Sequence, residues 1–292
     1  MDDKTKVSHR TFPSAEEDAA AAAKTTPIPQ TEHPSYRLAF QDADFLLRDE
    51  LRPVRFQLEL LKPEMLLQEH GIASTFVLYG SARIPSPETA DALVAAARTD
   101  WEKRVAERLR AKAKYYVEAY KLAYLVSSLP REDGERQFVI CSGGGPSIME
   151  AANKGAHDAG AESVALNIVL EHEQLPNQYV TPALSFQFHY FALRKMHFLM
   201  RARAVAAFPG GFGTLDELFE TLTLIQTRKV KPFPVLLFGR EFWERIVDFE
   251  ALAEEGTIAR DDLSLFHFVE TAEEAWQIVA GFYEISAMGG PC

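Results

Sequence analysis

The sequence predicts an α/β fold: one three-layer domain in which a parallel sheet is covered by helices on both faces. The prediction rests on short apolar runs that do not alternate with polar residues, on helical stretches between them, and on glycine-rich turns after three of the runs. A strand buried on both faces has no solvent side to mark with polar residues, so an unbroken apolar run is its signature. The chain has 292 residues, and at about 150 per domain there is room for two. No linker interrupts residues 74–285, so a single domain is expected there.

The elements follow in order. Residues 1–35 combine mixed charge, an alanine run and Thr25-Thr26-Pro27-Ile28-Pro29, with almost no large apolar side chain. Such a segment cannot offset its ordering entropy by burial and reads as a disordered or loosely packed tail. Residues 36–73 alternate charges with Phe40, Phe45, Leu46, Leu47, Leu51 and Phe56, punctuated by Pro53 and Pro63. They read as a helical N-terminal extension packed on the core. The domain at 74–285 opens with the strand Phe76-Val77-Leu78-Tyr79, which runs into Gly80-Ser81. Glu88 to about Ser128 reads as one long helix or two broken ones. Next come the strand Phe138-Val139-Ile140-Cys141, the turn Ser142-Gly143-Gly144-Gly145-Pro146 and a helix to His157. Strands are expected at 165–170 and 184–188, then a helix from Phe191 to Arg201 and a strand at 204–208. After the turn Pro209-Gly210-Gly211-Phe212-Gly213 come a helix at 214–227, a strand at 234–238, a helix at 241–255, a strand at 265–269 and a closing helix at 272–285. Residues 286–292 read as a C-terminal tail.

Composition narrows the function. Lys plus Arg number 31 against 42 Asp plus Glu, a net charge of −11 that opposes non-specific binding to nucleic acid or anionic membranes. No segment approaches the roughly 18 apolar residues of a membrane span. No basic segment leads into an apolar stretch as in a secretory signal, and two cysteines, Cys141 and Cys292, make no disulfide framework. The expectation is a cytoplasmic protein with neither nucleic acid nor membrane as partner. The eight histidines show no metal-ligand spacing, so neither metal nor cofactor is expected.

In an open α/β sheet, ligands bind beyond the carboxyl ends of the strands. Each glycine-rich turn lets backbone approach a ligand, and the helix after it offers free N–H groups to an anion. The turn at Gly143 departs from the dinucleotide fingerprint because its sixth position is Ile148, and no P-loop occurs. A mononucleotide held by one phosphate fits better. Thr214 is placed either to cap its helix or to bind a phosphate oxygen. Glu217, three residues on, falls where a capping-box glutamate would, or else faces a ligand. Arg194 and Lys195 either bring cations to the same edge or are ordinary solvated charges.

The segment Pro209-Gly210-Gly211-Phe212-Gly213-Thr214-Leu215-Asp216-Glu217 matches the P-G-G-x-G-T-x-x-E signature of the LOG family, the cytokinin riboside 5'-monophosphate phosphoribohydrolases, often labelled lysine decarboxylase-like. Arg194-Lys195 resembles the family's R-K pair, Gly80-Ser81 its first glycine-serine turn, and Gly143-Gly144-Gly145 with Met149 and Gly155 its G-G-G…M-x-x-x-x-x-G segment. Gln226 and Lys231-Pro232 resemble its Q…K-P element. The resemblance implies a Rossmann-like domain, a homodimer, and hydrolysis of a nucleoside 5'-monophosphate to free base and ribose 5-phosphate. It implies phosphate binding by Gly210, Gly211, Gly213 and Thr214, with Gly80, Ser81, Gly143, Gly144, Gly145, Met149 and Lys195 around the nucleotide. Its catalytic pair falls on Arg194 and Glu217. Lysine decarboxylation would need pyridoxal phosphate, for which the family label alone is no support. A second reading stays open: relatives of this fold include DNA-processing proteins and proteins resembling molybdenum-cofactor carriers, so a non-catalytic nucleotide or cofactor carrier is the alternative. A glutamate that only caps its own helix would favour the carrier.

Overall fold

The computed structural model describes residues 12–129, 135–171 and 175–285. Residues 1–11 of the tail expected at 1–35, and the tail expected at 286–292 with Cys292, lie outside the described residues. The chain divides into two compact units, 1–58 and 59–292. The described part of the first holds α1 (Ala15–Ala22), α2 (Pro29–Glu32) and α3 (Ala43–Leu46), none of which buries a residue. A capping box starts α1: Glu17 N–H donates to Ser14 Oγ, and Ser14 N–H donates to the Glu17 carboxylate.

Helix α4 spans Arg52–Glu69. Pro63, expected to interrupt, lies inside this helix and is buried. Pro53 sits in its first turn, where the missing N–H has no intrahelical partner to lose.

The second unit carries the sheet: β1 (Thr75–Tyr79), β2 (Val139–Ser142), β3 (Val164–Ile168), β4 (Ser185–Phe188), β5 (Ala202–Ala207), β6 (Val235–Phe238) and β7 (His267–Val269). Their order is β4-β3-β2-β1-β5-β6-β7, and every pairing is parallel. Strands β1, β2 and β6 are buried at every position, as non-alternating apolar runs require.

Helices cover both faces. Strand alternation sends Phe76 and Leu78 to one side, where they join Ile140, Ala204, Phe208 and Phe238 in a core with α7 (Ala113–Ser127), α8 (Ile148–Asp158) and α13 (Ala272–Phe282). Tyr79 faces the other side, with its ring edge-on to Phe198 of α9 (Phe191–Met200) at 5.2 Å. Helix α10 (Phe212–Gln226) follows β5. This is a Rossmann-like three-layer arrangement, as the sequence predicts.

Two helical stretches differ from expectation. The region 88–128 forms three helices, α5 (Pro87–Ala96), α6 (Asp100–Arg110) and α7, rather than one or two. Thr99 and Glu102 form a capping box that starts α6 afresh. The region 241–255 is split into α11 (Arg240–Ile246) and α12 (Phe249–Glu254), because Val247 is extended and the Asp248 carboxylate caps α12.

Candidate functional site

The strand order places the site. From β1 the chain builds outward through β2, β3 and β4, then crosses back to lay β5 against the other side of β1. The reversal falls between β1 and β5, where crossovers on opposite faces leave a crevice at the strands' carboxyl ends. The three glycine-rich turns follow β2, β1 and β5, which are consecutive in the sheet. The β1 and β5 turns are tied directly: Ser81 N–H donates to Pro209 O at 3.2 Å, and Phe208 N–H to Tyr79 O at 2.8 Å.

Arg194, on the second turn of α9, is fixed from several sides. Its Nε donates to the Leu166 carbonyl at 2.7 Å, Nη1 to Glu217 Oε1 at 3.2 Å, and the guanidinium lies over the Phe198 ring at 4.9 Å. Its Nη2 also crosses Gly143, where an added Cβ would come within 2.7 Å of that nitrogen and 2.8 Å of Met149 Sδ. Gly143 is glycine because Arg194 and Met149 occupy the space of a side chain. Gly144 has a different reason, a φ of +74° that favours glycine. Sequence reading singled out all four residues, and the structure brings them together.

Glu217 does not cap its helix. The N-cap of α10 is Gly211, so Thr214 is the third helical residue and Glu217 the sixth, beyond reach of the free N–H groups. The capping-box alternative for Thr214 and Glu217 is thereby corrected. A glycine at the N-cap starts the helix three residues earlier than the Thr-x-x-Glu pattern suggests. Thr214 is buried and its side chain lies over Gly210, inside the turn.

The Glu217 side chain is only 13% exposed and that of Arg194 only 11%. Burial pushes the Glu217 carboxyl up to about 7, against the downward pull of Arg194. A carboxyl in this range exchanges a proton near neutral pH. Beneath the pair lie two buried groups that sequence reading treated only as strand residues. Burial raises the pKa of both the Tyr79 phenol and the Cys141 thiol, and the Glu217 charge adds to that rise.

Lys195 points to α10 instead of standing free. Its Nζ lies 3.1 Å from both Asp216 carboxylate oxygens and 3.2 Å from Glu220. Burial disfavours its charge, yet the two carboxylates outweigh burial and hold the pKa above the ordinary lysine value. The spacing of Asp216 and Glu220, one helical turn apart, was the available sequence signal for this contact.

Among the described residues no three His, Cys, Asp or Glu side chains form a metal-sized cluster, and no helix is long and apolar enough to cross a membrane.

Fold and site thus define a Rossmann-like α/β protein whose candidate cleft lies at the topological switch point, lined by glycine-rich turns and a buried Arg–Glu pair. Residues 149–279 match the family model described as "Possible lysine decarboxylase". No curated protein matches the chain by sequence. Among solved structures, TM1055, a structural genomics target, is similar at 18% identity, covering 71% of this chain and 99% of its own, with a TM-score of 0.44. A structure of the Moco carrier protein from Chlamydomonas reinhardtii is similar at 16% identity, covering 72% and 98%, with a TM-score of 0.44. A second structure of the molybdenum cofactor carrier from that organism gives 16% identity, 73% and 98% coverage, and a TM-score of 0.40. Likenesses at this level say nothing of function.

Proposed function

We propose that this protein is a homodimeric, cytoplasmic hydrolase that cleaves the N-glycosidic bond of a nucleoside 5'-monophosphate, of the AMP or cytokinin riboside type, to free base and ribose 5-phosphate. The observation that carries the reading is Glu217: a buried carboxylate beside the phosphate-type turn, clamped by Arg194 and titrating near neutrality.

In the reaction, the C1'–N bond breaks as a water oxygen bonds to C1', through an oxocarbenium-like state whose positive charge a nearby carboxylate stabilises. Ionised Glu217 accepts one proton of the water, the departing base nitrogen takes up one proton from solvent, and Glu217 returns its own to solvent, so the carboxylate is restored. Arg194 keeps the carboxylate aimed. Backbone N–H groups at Gly210, Gly211, Gly213 and Thr214 hold the phosphate, and the Ser81 and Gly143 turns hold the rest of the nucleotide. Binding energy from the phosphate, remote from the breaking bond, positions the sugar, so adenosine is expected to react at least about 100-fold more slowly than AMP in kcat/KM.

Lysine decarboxylation does not fit the residues present. A Schiff-base lysine needs a depressed pKa, whereas Lys195 is held high by two carboxylates. The second reading is a carrier that binds a nucleotide or molybdenum-cofactor-like ligand without reacting. Its support is that Arg194 and Glu217 already satisfy one another, and a matched pair suits a static wall of a binding cleft.

The deciding experiment is product analysis with AMP and isopentenyladenosine monophosphate, comparing wild type with Glu217→Ala. Free base and ribose 5-phosphate from wild type only is the expected result. Tight nucleotide binding with no base released from any nucleotide would overturn the hydrolase in favour of the carrier.

A further inference from the structure

The segment after β3 sends one side chain back to the β2 turn. Asn177 Nδ2 donates to the carbonyls of Gly144 at 3.2 Å and Gly145 at 3.1 Å, and to Asn153 Oδ1 at 2.9 Å. Its own backbone N–H donates to Gly144 O at 2.8 Å, and its Oδ1 accepts from Tyr179 N–H at 3.2 Å. An amide nitrogen has two hydrogens for these three acceptors, so one hydrogen is shared. The orientation of the amide is dictated by its partners: turned over, its oxygen would face two carbonyl oxygens.

The network continues inward. Asn153 Oδ1 also accepts from Ser142 Oγ at 2.7 Å, Ser142 Oγ accepts from Gly144 N–H at 3.0 Å, and Asn153 Nδ2 donates to Ser163 Oγ at 3.0 Å. Asn153, Ser142 and Ser163 are buried, and Asn177 is the half-exposed end of the chain of bonds.

A planar trans peptide points its C=O and N–H in opposite directions. Gly144 C=O shares a peptide unit with Gly145 N–H. With that carbonyl held by Asn177, the Gly145 N–H points away from Asn177, and Pro146 removes the next N–H from the turn. We propose that Asn177 is a positioning residue for the nucleotide: by holding the Gly144 and Gly145 carbonyls on its own side, it presents the Gly145 N–H to the cleft as a donor for a ligand acceptor group. The proposal rests on nucleotide binding, common to both functional readings, and not on turnover.

Asn177→Asp is the test, since aspartate keeps the shape and loses both donors. Two readouts are taken, with Asn177→Ala alongside. Hydrogen exchange of the ligand-free protein should quicken at least about tenfold in the peptide holding the β2 turn, with the remaining sheet unchanged. Calorimetric AMP affinity should fall at least about tenfold for both variants while kcat at saturation stays within about threefold of wild type. An aspartate variant that behaves as wild type in exchange or affinity would overturn the proposal, as would a kcat that falls with affinity unchanged. A wild type that binds no AMP sinks the nucleotide reading, and with it Asn177 as a ligand-positioning residue; exchange then reports only whether Asn177 orders the turn.

Discussion

The raised pKa of Glu217 makes a stability prediction that needs no substrate. Below pH 4.5 the carboxyl is protonated in both folded and unfolded chains and contributes nothing. Between its ordinary 4.5 and about 7 the folded protein retains a proton that the unfolded chain has released, so stability falls as pH rises. Above 7 the loss is complete. At about 1.4 kcal/mol per pH unit, the full penalty is about 3 kcal/mol, most of which develops between pH 5 and 8. Glu217→Gln keeps an acceptor for Arg194 and does not titrate. Any fixed cost of the substitution is independent of pH, and other titrating groups cancel in the comparison. Urea unfolding of both proteins at several pH values should therefore show the variant gaining on wild type by about 2–3 kcal/mol from pH 5 to 8. Parallel stability curves would refute the reasoning, and so would a gap that moves the other way.

Other predictions concern the same cleft. The acidic limb of kcat/KM for AMP should bend near pH 7, following ionisation of Glu217, and a limb near pH 4.5 would remove Glu217 as the base. Arg194→Lys keeps the charge but cannot hold the Leu166 carbonyl, Glu217 and the Phe198 ring together; base release should fall about 100-fold with melting temperature little changed. Gly143→Ala puts a methyl group where Arg194 and Met149 pass, and should cost about 1–3 kcal/mol in denaturant unfolding while also impairing base release.

How much of this was legible depends on what each residue answers to. Strands such as Phe76-Val77-Leu78-Tyr79 answer to burial on both faces, which leaves a run that composition alone exposes. Gly143 and Gly144 were legible as a turn, but the two reasons for glycine differ, one the passage of Arg194 and the other a positive φ, and neither is written locally. The capping pattern at Thr214 misled because Gly211 offers the chain an earlier helix start. Thr99-x-x-Glu102 carried the same pattern truthfully and would have divided α5 from α6. Asn177 sits in a polar stretch with no periodicity, and its partners lie about thirty residues back. Nothing short of the fold connects them.

The placement of the three turns on consecutive strands has a consequence for how the protein is divided. The segment matching the family model starts at residue 149, after β1 and β2 have been laid down. Expressed alone, that segment would carry Arg194, Glu217 and the phosphate-type turn, yet β5 would face a missing neighbour and β3 another. Its two strand groups, β3 with β4 and β5 with β6 and β7, have no pairing with each other. The matched stretch is therefore not a unit that can be grafted or trimmed to. Any miniaturised version has to keep the chain from β1 onward, because the keystone of the sheet is supplied by residues that precede the matched segment.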